Sequence, residues 1–390
     1  MTCLLTSSSK QVSQREEYSD VGMMVYCNLY DYDQVREVIS CLEKVPLTIA
    51  AIVSFVDPWC ALAAQLASER GLSAFSAEAM RLMENKMKTR AVLKNTLHNP
   101  RYLALPAYAG GRIHSANKLL PVVVKYIDSN GSRDVFYCPD RSTLFRNFQI
   151  IANLYPEGTI LIEEYLDGPQ YIVEVLAVNG EINIVAVVAQ EIQLINGHFI
   201  ITGYNLLVDP DPDFMGKLMM AVKTILDKFG FKHGPCHLEM RNVKGTWKLI
   251  EVNPRISGAG MNDMIEIGLG INLVRETLRL AMGEKVDLEP KHRIPTYAEY
   301  LVADTTGILH RITGRREVEK DPNVKRVYIK PRRGKLITPP TSLGDRYAYV
   351  IATGETDEAA RANARAAAGK IRFIYEPLDP AINNLIHSQT

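Results

Sequence analysis

The turns constrain this chain most. Between residues 119 and 252, β-branched and apolar runs are separated by short polar stretches rich in Asn, Gly and Ser. Runs 121–127 and 135–138 flank a loop at 128–134, runs 171–178 and 181–188 flank Asn179-Gly180, and runs 235–243 and 246–252 flank Lys244-Gly245. Short Gly-containing loops of this kind join antiparallel neighbours, so this region must build a mainly antiparallel sheet. Residues 1–75 read differently. A strand at 2–6, a helix at 32–44 and an apolar β-rich run at 47–55 give the alternation of an α/β layer with a parallel sheet. Asp57 and Pro58 have N-cap and N1 chemistry for a helix ending at Gly71, and Ser76 is placed to cap a helix over 77–95 that exposes Asn85, Lys86, Lys88 and Arg90. Further helices are predicted at 144–154, 214–229, 271–282 and 358–370, and further strands at 159–166, 297–303 and 347–353.

A length of 390 residues exceeds one compact core, and the texture changes divide it into an N-terminal α/β part at 1–100, a central part at 101–195 and a C-terminal part at 196–390. With 47% hydrophobic and 23% charged residues the composition is that of a soluble globular protein, which excludes disorder and low-complexity repeats. The formal net charge of +1 offers no global field for nucleic acid or anionic membrane. Residues 310–335 hold ten Lys or Arg against three Asp or Glu, a local excess that reads as a solvated basic face. Six cysteines without a C-x-x-C pair or disulfide-like density, together with the absence of a signal-like start or a membrane-length apolar run, point to free thiols in the cytoplasm.

Chemistry concentrates in the hairpin at 235–253. Alternation puts His237, Glu239 and Arg241 on one strand face and Glu251 with Asn253 on another, and a short turn places Glu239 opposite Ile250 or Glu251. Two carboxylates so placed repel unless a cation lies between them, and an all-oxygen donor set suits Mg²⁺. A solvated strand face, with Arg241 and Lys248 neutralising the acids, explains the same spacing. Lys125 ends an apolar strand just before the polar loop with Ser129, Gly131, Ser132 and Arg133, a combination suited to a polyphosphate and equally to an empty hairpin tip. The run Glu163-Glu164-Tyr165-Leu166, followed by Asp167-Gly168-Pro169-Gln170, could present backbone donors and acceptors to a flat heterocycle.

In order, Asn85-Lys86, Lys125 with its Gly-Ser loop, Glu163 to Pro169, Glu239, and Glu251-Val252-Asn253-Pro254-Arg255 resemble the motifs of the ATP-grasp superfamily, most of all the carboxylate–amine ligases that join L-amino acids into dipeptides. The resemblance covers about residues 45–285. It implies an ATP-grasp fold of α/β (α+β) class with an N-terminal Rossmann-like domain, a central lid subdomain and a C-terminal, mainly antiparallel sheet domain. It also implies ATP as cosubstrate with Mg²⁺, for which Mn²⁺ can substitute, and small-molecule carboxylate and amine substrates in a cytoplasmic protein that forms a homodimer. By the same resemblance, Lys86 and Lys125 contact the ATP phosphates under a flap containing Ser129, Gly131, Ser132 and Arg133. Glu163, Glu164, Tyr165 and Leu166 line the adenine pocket, and Gln170 stands where the family often has a ribose-binding Glu. Glu239, Glu251 and Asn253 hold the metal, Arg255 stabilises the reacting centre, and Ser257, Gly258, Gly260 and Met261 border the substrate. Lys125, Arg255 and Glu251 form the catalytic set. The sequence departs from the family in having Tyr126 where Pro is common and Asp134 where the flap often has Gly.

Overall fold

The computed structural model describes residues 1–44, 48–73, 75–129, 131, 133–195 and 197–377. An eight-stranded antiparallel sheet runs in the spatial order Thr246–Asn253, Gly234–Val243, Gln170–Val178, Glu181–Ile195, His198–Leu206, Thr296–Leu301, Ala348–Thr353, Val324–Ile329. A separate four-stranded antiparallel sheet, Tyr102–Pro106, Thr159–Glu164, Val122–Tyr126, Val135–Cys138, is covered by the helix Arg141–Leu154. Leu336–Ile337, Gly307–Thr313 and Arg372–Pro377 form a third sheet, and Cys3–Thr6 pairs in parallel with Met23–Tyr26. The class is mixed α/β with a dominant antiparallel sheet, as the turns require. Among the described residues, no helix is long and apolar enough to cross a membrane.

The main core lies under one face of the large sheet, against the helices Pro212–Phe229, Met261–Leu269 and Leu273–Ala281. In the Gly234–Val243 strand, Cys236, Leu238 and Met240 are fully buried in it. A slip of one residue would exchange these three for His237, Glu239 and Arg241, at a loss of about 1.5–3 kcal/mol for each large apolar side chain uncovered. The register is thereby fixed, and the opposite face of the same strand is free to be polar. The turn is consistent with this, since Lys244 and Gly245 both take positive φ, 49° and 86°, the geometry of a two-residue hairpin loop.

Several expectations are corrected. The helix predicted from Asp57-Pro58 begins at Cys60 instead, and the Asp57 carboxylate goes to Arg255. The helix expected over 77–95 is two helices, Ala77–Met83 and Lys86–Val92: Asn85 takes an extended conformation and accepts from the Lys88 N–H, capping the second. Ser76 makes no cap; its Oγ receives the N–H groups of Lys232 and His233. The apolar stretch 48–54 forms no strand, although Ile49 and Ile52 still pack beside the Cys3–Thr6 strand; Leu47 lies outside the described residues. The division expected at 195 falls at the turn joining Glu181–Ile195 to His198–Leu206, so sheet hydrogen bonding runs across it. The break between the small and large sheets lies at 165–169.

Candidate active site

Three rows of side chains cross the polar face formed by Gln170–Val178, Gly234–Val243 and Thr246–Asn253. Register partners put Glu174, His237 and Asn253 in the first row, Ile172, Glu239 and Glu251 in the second, and Gln170, Arg241 and Lys248 in the third. A bulge at Ile250 returns Lys248 to the face of Arg241. Glu239 therefore lies directly opposite Glu251.

Neither neighbouring cation neutralises this pair. Arg241 donates from Nε to Gln170 Oε1 (2.9 Å) and from Nη1 to the Leu166 carbonyl, while Lys248 Nζ goes to the Asn99 carbonyl (3.2 Å) and lies 3.7 Å from Glu164. The compensating charge comes from elsewhere. Lys86 Nζ lies 3.2 Å from Glu251 and donates to the Ser129 carbonyl at 2.7 Å, so one lysine joins the acid pair to the base of the polar loop. Burial and the facing Glu251 push the Glu239 carboxyl up to about 7. Burial acts on Glu251 in the same direction, but Lys86 and Lys125 outweigh it and hold that carboxyl low. Two facing carboxylates, one of them raised by burial and by the charge of the other, fit a hard divalent ion between them. Asn253 adds an amide oxygen two residues along the same strand face.

Lys125 is buried beside Glu163, with Nζ 2.7 Å from Oε2, and Arg90 grips the other oxygen of that carboxylate. Burial would raise Glu163, but Arg90 and Lys125 prevail and hold it at about 2. Burial lowers the Lys125 ammonium against the pull of Glu163. Arg90, expected at the surface, is only 2% exposed. Its role was invisible because its partners lie 73 and 160 residues away, at Glu163 and the Ile250 carbonyl. Glu164 is taken by Arg101, at 2.5 Å from Nε and 3.0 Å from the backbone N–H. Cations thus claim both carboxylates of the 163–166 stretch. The Tyr165 ring lies edge-on to Tyr137 (4.8 Å) and under the Arg241 guanidinium (5.0 Å). Gln170 is buried and bridges Arg241 and Glu239 (3.3 Å).

In the loop after Lys125, Ser129 is buried at its base and Arg133 is exposed; Ser132 lies outside the described residues. Gly131 takes φ 66° and its carbonyl receives the Leu343 N–H at 3.0 Å, tying the loop to the C-terminal part. Asp134, where Gly is common in the family, has φ 54°, a left-handed conformation that Asp tolerates. Tyr126 stacks on Tyr155 at 3.9 Å.

Beyond Asn253, Arg255 pairs through Nε with Asp57 at 2.6 Å. Ser257 donates from its N–H to Glu174 (3.2 Å) and from Oγ to the same carboxylate. Gly258 is exposed, and Gly260, at φ 78°, lies where a Cβ would strike the Tyr349 ring at 2.6 Å. Met261 is buried in the core as the first residue of its helix. Glu174 is completely buried, which pushes its carboxyl up to about 7 despite the Ser257 bonds. A folded-state value above the ordinary 4.5 means that the fold favours the protonated form. Its stabilising contribution is complete below about pH 4.5 and is lost as pH rises through about 7. Glu174→Gln, which cannot ionise, should accordingly flatten the fall in stability between those pH values by roughly 1–3 kcal/mol relative to wild type, read by thermal unfolding across pH. Parallel curves for the two proteins would refute it.

A sequence model described as an ATP-grasp domain matches residues 119–263, and one described as L-amino acid ligase C-terminal domain 2 matches residues 299–376. Residues 119–263 therefore carry an ATP-grasp domain. The ATP-grasp match spans Lys125, both acids of the hairpin, Asn253 and Arg255. Its relatives include an uncharacterized protein, y4rH, of Sinorhizobium fredii, 26% identical over 80% of this chain and 65% of the other. They also include the L-arginine-specific L-amino acid ligase of Bacillus subtilis, 22% identical over 56% of this chain and 54% of the other. The chain thus spans less than two thirds of the length of these relatives. The crystal structure of an L-amino acid ligase from Bacillus licheniformis superposes with a TM-score of 0.77 at 22% identity, covering 91% of this chain and 88% of that one, which shows the ATP-grasp fold.

The C-terminal match reaches the loop that follows Arg255. Tyr300 donates its hydroxyl to the Ala259 carbonyl, and the Arg346 guanidinium lies 4.2 Å over the Tyr300 ring while donating to the Tyr204 hydroxyl at 2.9 Å. These contacts link separate stretches of chain through side chains, and sequence reading found neither residue.

Proposed function

We propose that this protein is an ATP-dependent carboxylate–amine ligase acting on amino-acid-type substrates, forming an amide through an acyl phosphate and releasing ADP and phosphate. The observation that carries it is the facing pair Glu239 and Glu251, met by Lys86 and Lys125 on one side and followed by Arg255 on the other. Phosphoryl transfer asks for cationic stabilisation and positioning rather than a protein nucleophile, and this site is built of cations and oxygen donors. The ligase relatives support the amino-acid class.

In this reading Glu239, Glu251 and Asn253 hold Mg²⁺, which when bound neutralises phosphate charge. Lys86 and Lys125 bind the phosphates under the loop at 129–134, and the backbone at 164–166 with Tyr165 takes the adenine. The small sheet at 102–164 acts as the nucleotide lid. The substrate carboxylate takes the terminal phosphoryl group, with ADP leaving. The amine then attacks the acyl carbon, phosphate leaves, and Arg255 stabilises the oxyanion formed between these events. Asp57 keeps the guanidinium aimed, and the loop at 257–260 borders the substrates.

The test is ADP and phosphate release from the purified protein with Mg²⁺ and ATP, over amino acids offered singly and in pairs, with mass spectrometry of the products. Release that requires a particular pair and yields the coupled mass is expected. ATP binding without release for any pair would overturn the amino-acid reading.

A further inference from the structure

His237 sits at the centre of the first row, 4% exposed, with both ring nitrogens engaged. Nδ1 lies 2.8 Å from the Arg255 carbonyl and Nε2 lies 3.1 Å from Asn253 Nδ2. A carbonyl can only accept, so Nδ1 must carry the proton. The Asn253 Nδ2 group facing Nε2 is a donor, so Nε2 must accept and the ring is neutral. In a neutral ring with its proton on Nδ1, Nε2 is a bare acceptor. The Asn253 amide can satisfy it only by turning its NH₂ toward the ring, which turns Oδ1 away.

We propose that His237 is the positioning residue of this site: by accepting from Asn253 and donating to the Arg255 carbonyl, it fixes Asn253 with its amide oxygen toward the metal and sets the backbone from which Arg255 reaches the substrate. The proposal rests on the reading of Glu239, Glu251 and Asn253 as metal ligands. A primary amide has two chemically different ends of nearly equal shape, so a ligand asparagine needs a partner that tells them apart. A carboxylate at the same position would need none. The hydrogen bonds of His237 thus join the metal ligand to the arginine at the reacting centre through a single rigid ring, a coupling that strand pairing alone does not supply.

The experiment measures Mn²⁺ binding to the protein–ADP complex by electron paramagnetic resonance, with no turnover involved. His237→Phe keeps the ring's shape and removes both nitrogens; His237→Ala removes the ring and serves if Phe is not tolerated. Either variant should weaken Mn²⁺ binding about 10- to 100-fold while metal-free ADP affinity stays at the wild-type value. In the Asn253→Asp background, where both oxygens are equivalent, the same change at His237 should cost less than about threefold. A long-range ¹H–¹⁵N spectrum of the native protein should show the Nδ1–H tautomer for the ring signal that vanishes in the variants. Unchanged Mn²⁺ affinity, an equal loss in both backgrounds, or an Nε2–H tautomer would overturn the role of His237 and leave the ligase reading standing. A wild-type complex that binds no Mn²⁺ would remove the metal reading and this proposal together.

Discussion

Glu251→Ala should lower ADP release by about 10³-fold or more, because charge stabilisation around a transferring phosphoryl group contributes several kcal/mol and each ~1.36 kcal/mol is a factor of ten. Glu251 serves two partners at once. It faces Glu239 across the hairpin and pairs with Lys86, which in turn holds the Ser129 carbonyl. On the proposed reading, removing it leaves one of the two carboxylates that would hold the divalent ion, and it frees Lys86 to swing away from the loop at Ser129. The fold should survive. The side chain keeps 31% of its surface exposed, and its loss relieves a like-charge contact while ending one ion pair. Circular dichroism and thermal unfolding close to wild type, together with an almost complete loss of ADP release, is the expected combination. A variant that turns over at the wild-type rate would sink the metal assignment; a variant that unfolds would show that Glu251 supports the structure instead.

The same hairpin shows how far a sequence can be read. A turn of two residues with an unbroken period of two would set Glu239 opposite Ile250; the bulge at Ile250 brings Glu251 there instead, and the buried trio Cys236, Leu238 and Met240 makes a register slip costly. Side-chain pairing across the site is not local. Arg90 looks like a surface residue on a helix bearing Lys86 and Lys88, yet it is buried against a carboxylate 73 residues on. Arg241 and Lys248, the obvious neutralisers of the acid pair, turn instead to the 164–170 stretch and to Asn99, leaving that work to Lys86 from a different helix. The missed strands have a similar cause. Met23–Tyr26 is only four residues long, and His198–Leu206 follows a stretch of its partner strand whose half-exposed positions, Gln190 to Ile195, carry no clear alternation. The resemblance names Lys86 and Glu251, which the fold brings within 3.2 Å, a long-range pairing that periodicity cannot reach.

Arg255→Ala is expected to separate nucleotide binding from bond formation. Arg255 begins the loop that leaves the Thr246–Asn253 strand; its carbonyl is held by His237 and its guanidinium by Asp57 at 2.6 Å, with 23% of the side chain exposed. It makes no ion pair with Glu239, Glu251 or Glu163, so ATP and the metal should bind the variant as they bind the wild type. On the proposed reading, what is lost is a preorganised cation where negative charge would develop on the acyl carbon, and removal of one such group costs about 10²- to 10³-fold in rate. Losing the guanidinium also leaves Asp57 unpaired near Cys60 and Glu84, whose ligand atoms lie within 4.8 Å of one another. A modest loss of stability should follow, confined to the N-terminal side. Arg255→Lys keeps the charge but not the planar donor fork, and should recover part of the stability and little of the rate. The measurement is equilibrium ATP binding beside amide formation at saturating substrates. Intact binding with amide formation reduced at least a hundredfold would place Arg255 at the reacting centre; lost ATP binding with normal aminolysis of an added acyl phosphate would place it among the phosphate ligands.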